Sequence, residues 1–328
     1  MNYKEFLNFS IYSFDIEKFN GDWNCLSEFL RENDIDGVEL LVNFDPLPDN
    51  IPENIVGGVH LPSFMGWYRV WTDNKFKVPG FIDQDSLRYF YGGKTRSEII
   101  KNFTDCIKFA EVTNPAYGVY HAGYMEAENT FSGNHGCTDR DVLRANAEML
   151  NETAAGFPLG EPPYDIFIEN LWWPGLTFLD ESLTAEFMDM LEFKKWKFML
   201  DTGHLMNATG KCRDEKNAIQ CVMSVLEKQD KEVIDKIAGL HFHQSTSAEY
   251  QKNLKEPENF QKLDINEKFS AIMGHLKFFD EHRPFTSEKC REIVEFTEPD
   301  FITHEFTNKS VEEIEKCLSL QKSSLNIK

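Results

Sequence analysis

Short apolar runs that stop on a histidine or a carboxylate recur along the chain and constrain its fold more than any other feature. They are Val59-His60, Val119-Tyr120-His121, Ile166-Phe167-Ile168-Glu169, Phe198-Met199-Leu200-Asp201, Gly239-Leu240-His241 and Phe301-Ile302-Thr303-His304-Glu305, with Val38-Glu39 as a weaker member. A strand that runs apolar and then stops on such a group delivers it to the rim of a buried sheet. Imidazole and carboxylate are the ligands that Zn²⁺, Mn²⁺ or Co²⁺ take, so strand ends converging on one point would build a metal site.

Stretches of helical periodicity separate the runs. Strands are expected from Ser10 to Phe14, Gly37 to Val42, Val56 to Leu61, Tyr117 to His121, Asp165 to Glu169, Lys197 to Asp201, Ile237 to His241 and Asp300 to Glu305. The intervening helices include Asp22 to Glu32, where Trp23, Leu26, Phe29 and Leu30 share a face, and Arg96 to Val112. Strands alternating with helices throughout predict an α/β chain folded as a (β/α)₈ TIM barrel, with its active groups at the C-terminal strand ends. No composition break divides the chain, so residues 1–328 read as a single domain with long loops at 62–93 and 244–279.

The chain has 328 residues, with 28 Phe and 6 Trp to fill a core of that size. Its formal net charge is −21, which opposes the cationic neutralisation on which phosphate-backbone binding depends, so no nucleic-acid partner is expected. The seven cysteines are dispersed and never in a C-x-x-C spacing, which suits a reduced, cytoplasmic setting. No window approaches a membrane span, and the first residues carry no leader pattern. A homo-oligomer is compatible with everything above.

The strongest local motif is Asp201-Thr202-Gly203-His204. Asp201 stands at a strand tip, Gly203 permits a sharp turn and His204 is brought back over the same mouth. In Leu240-His241-Phe242-His243 the two histidines share a face of an extended chain. Glu169 and Glu305 end apolar strands without a neighbouring cation, and a buried carboxylate needs a partner that a metal can supply. His304 alternates to the opposite face and stays outside the site. Asp280 and His282 form a D-x-H pair after the unreadable stretch 244–279, and Glu39 is placed to brace a ligand from outside. His135 and Cys137 read as surface. Trp67, Tyr68, Trp172 and Trp173 suit the walls of a small polar ring.

This order of strand-end groups resembles the xylose-isomerase-like barrel superfamily, which contains sugar (phosphate) isomerases and epimerases and the endonuclease IV type of apurinic-site nuclease. Resemblance to its ketose 3-epimerases implies one divalent ion, Mn²⁺, Zn²⁺ or Co²⁺, held by Glu169, Asp201, His241 and Glu305. The two glutamates would then exchange a substrate proton while His204 and His243 contact the sugar. Resemblance to the endonuclease IV branch implies up to three Zn²⁺, with His60, His121, His204, Asp280 and His282 added as ligands. The first expectation is therefore a metal-dependent isomerase or epimerase of a small sugar or sugar derivative. The alternative is a multi-zinc phosphoester hydrolase.

Overall fold

The computed structural model describes residues 3–52, 54–78, 83–307 and 310–325. Eight parallel strands close into a barrel in chain order: β1 (Lys4–Ser10), β2 (Gly37–Leu41), β3 (Val56–His60), β4 (Tyr117–His121), β5 (Asp165–Glu169), β6 (Trp196–Asp201), β7 (Ile237–His241) and β8 (Phe301–His304). The register pairs Tyr120 with Ile168, His121 with Glu169 and Asp201 with His241, so the ligand-bearing ends meet in pairs at one rim. Alternation does the rest. Phe6, Tyr117, Phe167 and Met199 fill the barrel, with Tyr117 and Phe167 stacked at 4.3 Å, while the intervening Ile166, Ile168, Phe198 and Leu200 pack outward against helices.

Two expectations about secondary structure are corrected. The first strand runs from Lys4 to Ser10, and the segment from Ser10 to Phe14 instead leads into a helical turn, Ser13–Ile16. Polar Glu5 and Asn8 disguise that strand. Glu5 is nevertheless buried, because its carboxylate meets His304 Nε2 at 2.8 Å on the outer side of β8. The segments expected as loops also carry helices: Trp67–Thr72 and Gln84–Tyr91 within 62–93, and Ala248–Lys252 and Ile265–Phe279 within 244–279. Residues 79–82 of the first segment lie outside the described residues. Asp264 and Glu267 form a reciprocal capping box that starts the Ile265–Phe279 helix, and Ile272, His275 and Phe279 are its buried side.

That second segment is an excursion from the barrel rim that closes on itself. Gln244 N–H donates to Arg283 O at 2.8 Å and Arg283 N–H donates to Gln244 O at 3.1 Å, a small antiparallel bridge joining its two ends. Residues far from His241 in sequence thereby return beside it. The excursion also roofs the rim: Phe279 lies 5.3 Å from Trp172, whose ring meets His204 edge-on at 4.7 Å. On the far side Phe260 packs on Phe131, and Lys268 pairs with Glu128 at 3.0 Å. No helix among the described residues is long and apolar enough to cross a membrane.

Candidate metal centre

Glu169 is the hub of the rim. Its Oε2 faces His60 Nε2 at 3.3 Å and His121 Nε2 at 3.0 Å, and its Oε1 faces His241 Nδ1 at 3.3 Å and His204 Nδ1 at 3.1 Å. His241 Nδ1 is also 3.2 Å from Glu305 Oε2 and 3.7 Å from Asp201 Oδ2. On the other side of His204, Nε2 lies 3.3 Å from Asp280 Oδ2, which is 2.6 Å from His282 Nε2. Two ligands that share an ion about 2.0–2.2 Å away lie roughly 3 Å apart, so these separations suit shared cations except at His204 Nδ1, which donates to Asn170 O.

The rim therefore collects every ligand candidate of the sequence: His60, His121, Glu169, Asp201, His204, His241, Asp280, His282 and Glu305. Asp280 and His282 arrive through the excursion bridge, with His282 in the left-handed region at φ 47°. Asn207, on the helix Thr202–Thr209 that follows Asp201, donates to Asp280 Oδ1 at 3.0 Å. Glu305 lies just past the end of β8 and still points inward, whereas His304 faces away.

Outer partners fix the orientation of the inner ones. His241 Nε2–H donates to Glu39 Oε1 at 2.8 Å, and Glu39 Oε2 accepts from Tyr117 Oη at 2.7 Å and from Thr303 Oγ1 at 3.0 Å. Nδ1 of His241 is thus left bare toward the rim. Gly58 makes room for this arrangement, since a Cβ there would enter the Tyr117 ring. Asn170 clasps the backbone of Asp201 with both ends of its amide, at 2.9 and 3.1 Å, and its carbonyl accepts from His204 Nδ1–H at 3.0 Å. Asn170, Asn207, Tyr117 and Thr303 carry no sequence signal beyond their closeness to a ligand or a strand.

Burial alone would push the carboxyls of Glu169, Asp201 and Asp280 upward. The imidazoles around them outweigh burial and hold all three below the usual carboxylate range. Burial disfavours imidazolium too, yet Asp201 and Asp280 keep His204, and Glu39 and Glu169 keep His241, well above the ordinary histidine value; His282 is raised to about 9. His60 is also raised, through Glu169, whereas burial lowers His121. A proton on any of these nitrogens competes with a cation for the same lone pair.

The donor set fits divalent metal. Glu169 Oε1 and Oε2, His241 Nδ1, His243 Nδ1, His282 Nδ1 and Glu305 Oε2 are buried with no hydrogen-bond partner among the described residues. Buried polar atoms are normally satisfied, and cations between them would satisfy those of Glu169, His241 and Glu305. Triplets of ligand atoms within 4.8 Å of one another include His60, Glu169 and His241; Asp201, His241 and Glu305; and His204, Asp280 and His282.

The aromatic candidates separate. Trp67 is buried, its Nε1–H donating to Gly123 O at 3.0 Å, and it lines a cleft beside His121 with Met65, Tyr124, Leu171 and Trp173. Tyr68 is half-buried against Tyr124. Trp172 and Trp173 are half-buried with rings 4.6 Å apart, Trp172 covering His204. His243 is fully buried behind Asp201.

No protein-family model matches the chain, and no curated protein matches it in sequence. Solved structures do match in fold. Endonuclease IV from Thermus thermophilus is similar over 98% of this chain and 99% of its own, at 12% identity and a TM-score of 0.52. A D-tagatose 3-epimerase-like protein matches over 100% and 90%, at 16% identity and a TM-score of 0.47. A sugar phosphate isomerase/epimerase from Parabacteroides distasonis matches over 96% of each chain, at 11% identity and a TM-score of 0.49. These are xylose-isomerase-like barrels, and at such identities the likeness is one of fold.

Proposed function

We propose that the chain is a multi-metal hydrolase of a small phosphoester. The observation that carries this reading is the return of Asp280 and His282 to His204, with Asp280 Oδ2 3.3 Å from His204 Nε2. A single-ion isomerase has no need of that second group of ligands. His60, His121 and Glu169 Oε2 would hold one cation; Glu169 Oε1, Asp201, His241 and Glu305 a second; His204, Asp280 and His282 a third. When bound, such cations neutralise charge on a phosphoryl oxygen and lower the pKa of water toward neutrality. Glu169, with Oε2 toward His60 and His121 and Oε1 toward His241, would serve both of the first two positions. Glu305 and His282, at the partly exposed side of the rim, face an entering ester, while Trp172 and the roof above it exclude bulk water.

A small substrate is favoured over a nucleic acid. The net charge of −21 repels a polyanion, and Phe279 of the excursion packs on Trp172, which covers His204. With Mn²⁺ or Zn²⁺ restored, the protein should hydrolyse p-nitrophenyl phosphate or its bis-ester, and Asp280→Ala should remove that activity. No hydrolysis by the loaded wild type, together with solvent deuterium entering a ketose, would overturn the reading.

That outcome would favour the second reading, an isomerase or epimerase in which Glu169 and Glu305 exchange a proton with a sugar. The two carboxylates flank His241 Nδ1 at 3.3 and 3.2 Å, which supports it. Full deuterium exchange in Glu169→Gln would exclude it.

A further inference from the structure

Three histidines of the rim share a pattern that His121, His243 and His282 do not show. His60 Nδ1–H donates to Leu61 O at 3.1 Å, His204 Nδ1–H to Asn170 O at 3.0 Å and His241 Nε2–H to Glu39 at 2.8 Å. In each the other nitrogen is left bare for a cation, as metal-binding histidines require. His243 and His282 both lack such an anchor on Nδ1, but the His282 side chain is partly exposed whereas the ring of His243 is enclosed and seated against Gly203. His243 is fully buried, its Nδ1 has no partner, and its Nε2 lies 3.1 Å from Asp201 Oδ2. A proton on Nδ1 would make a buried orphan donor. A proton on Nε2 gives Asp201 a hydrogen bond and leaves only an orphan acceptor, the more tolerable of the two.

We infer that His243 is a positioning residue that acts through Asp201, donating Nε2–H to Oδ2, and neither ligates a cation nor touches substrate. The inference rests on the metal-centre reading above. Asp201 Oδ1 already accepts from His204 N–H at 2.6 Å, so the His243 bond fixes the second oxygen and sets the direction of its remaining lone pair.

The turn after Asp201 builds the seat for that ring. Thr202 Oγ1 donates to His243 O at 2.6 Å, and a Cβ on Gly203 would fall on ring atoms Cε1 and Nδ1. His282 stacks on the other face, with centroids 4.1 Å apart and planes at 8°. Gly203 is therefore glycine because His243 occupies the place of its side chain. Gly203→Ala displaces the ring without removing any ligand.

The rival is that His243, His282 and Glu305, which also bring ligand atoms within 4.8 Å of one another, hold a cation of their own. Four proteins separate the two: wild type, His243→Gln, His243→Ala and Gly203→Ala. Each is loaded with Zn²⁺ for elemental analysis, titrated against a chromophoric chelator, and loaded with Co²⁺ for its visible spectrum. All four should bind the same number of ions at saturation. His243→Ala and Gly203→Ala should hold one of them roughly 10–100-fold more weakly, the usual effect of losing an outer partner. His243→Gln, whose amide can donate, should stay close to wild type with unaltered Co²⁺ band intensities.

Loss of an ion at saturation, or a changed Co²⁺ spectrum in His243→Gln, would make His243 a ligand and overturn the inference. Wild-type affinity in both His243→Ala and Gly203→Ala would also overturn it. Circular dichroism accompanies each variant, and Gly203→Ala carries the test should His243→Ala not fold. A wild type that binds no cation overturns this inference and the metal-centre reading together, whereas a loaded wild type with unaltered variants overturns this inference alone.

Discussion

The inner and outer parts of the metal centre are built by different means. Glu169, Asp201 and His241 have no exposed side-chain surface and stand at the ends of consecutive strands, where Asp201 pairs with His241 and Glu169 with Met199. Asp280 and His282 belong to an excursion that only a short bridge returns to the rim, and the side chains of His282 and Glu305 are 16% and 18% exposed. The barrel strands supply an inner set of groups that would suit either an isomerase or a hydrolase. On the proposed function, the excursion would supply the ligands that distinguish them.

The comparison breaks most visibly at Glu169, which faces both cation positions of the inner cage. Glu169→Gln should reduce ion content by about two per chain and lower hydrolysis by more than roughly 100-fold, beyond the effect of any outer partner. Elemental analysis and ester turnover on one preparation check both. Asp280→Ala acts on the outer part alone. It should remove about one ion and leave the inner cage loaded, which a chelator titration would reveal as the loss of a single phase. Loss of all ions would mean that the two parts are not separable.

Glu39→Gln acts one layer further out. It keeps an acceptor for His241 and removes the charge, so cation affinity should fall by roughly 10–100-fold at unchanged stoichiometry. The smallest effect concerns the excursion itself. Burial lowers His275 to about 4, and its Nδ1 accepts from Tyr250 O–H at 2.9 Å. The folded value lies below the ordinary 6.5, so the stability His275 contributes is complete above about pH 6.5 and is lost as pH falls toward 4. Amide exchange in 265–279, corrected for intrinsic rate, should therefore rise over that interval while β5 to β8 stay protected. His275→Phe should flatten the dependence.

What the sequence revealed follows the same division. β4, β5 and β7 could be read from residues alone, because an apolar run ending on a ligand is local information. β1 could not, since Glu5 looks exposed until His304, distant in sequence, is seen to face it. Asp280 and His282 were recognisable as a ligand pair, but their place was not, because it depends on how residues 244–279 fold before the chain returns to Gln244. Asn170 and Asn207 carry no pattern at all; their importance is set by which backbone atoms and carboxylates happen to lie within reach. Lone-pair direction, as at His243, is likewise settled only by the partner on the second nitrogen.

On the proposed function, the excursion would turn a one-ion rim into a centre for several ions. Elemental analysis of the wild-type protein after equilibration with Zn²⁺ or Mn²⁺ and removal of excess metal tests it directly. The account predicts about three divalent ions per chain, in keeping with separate ligand groups of three or four residues. About one ion per chain, unaltered by Asp280→Ala, would contradict it.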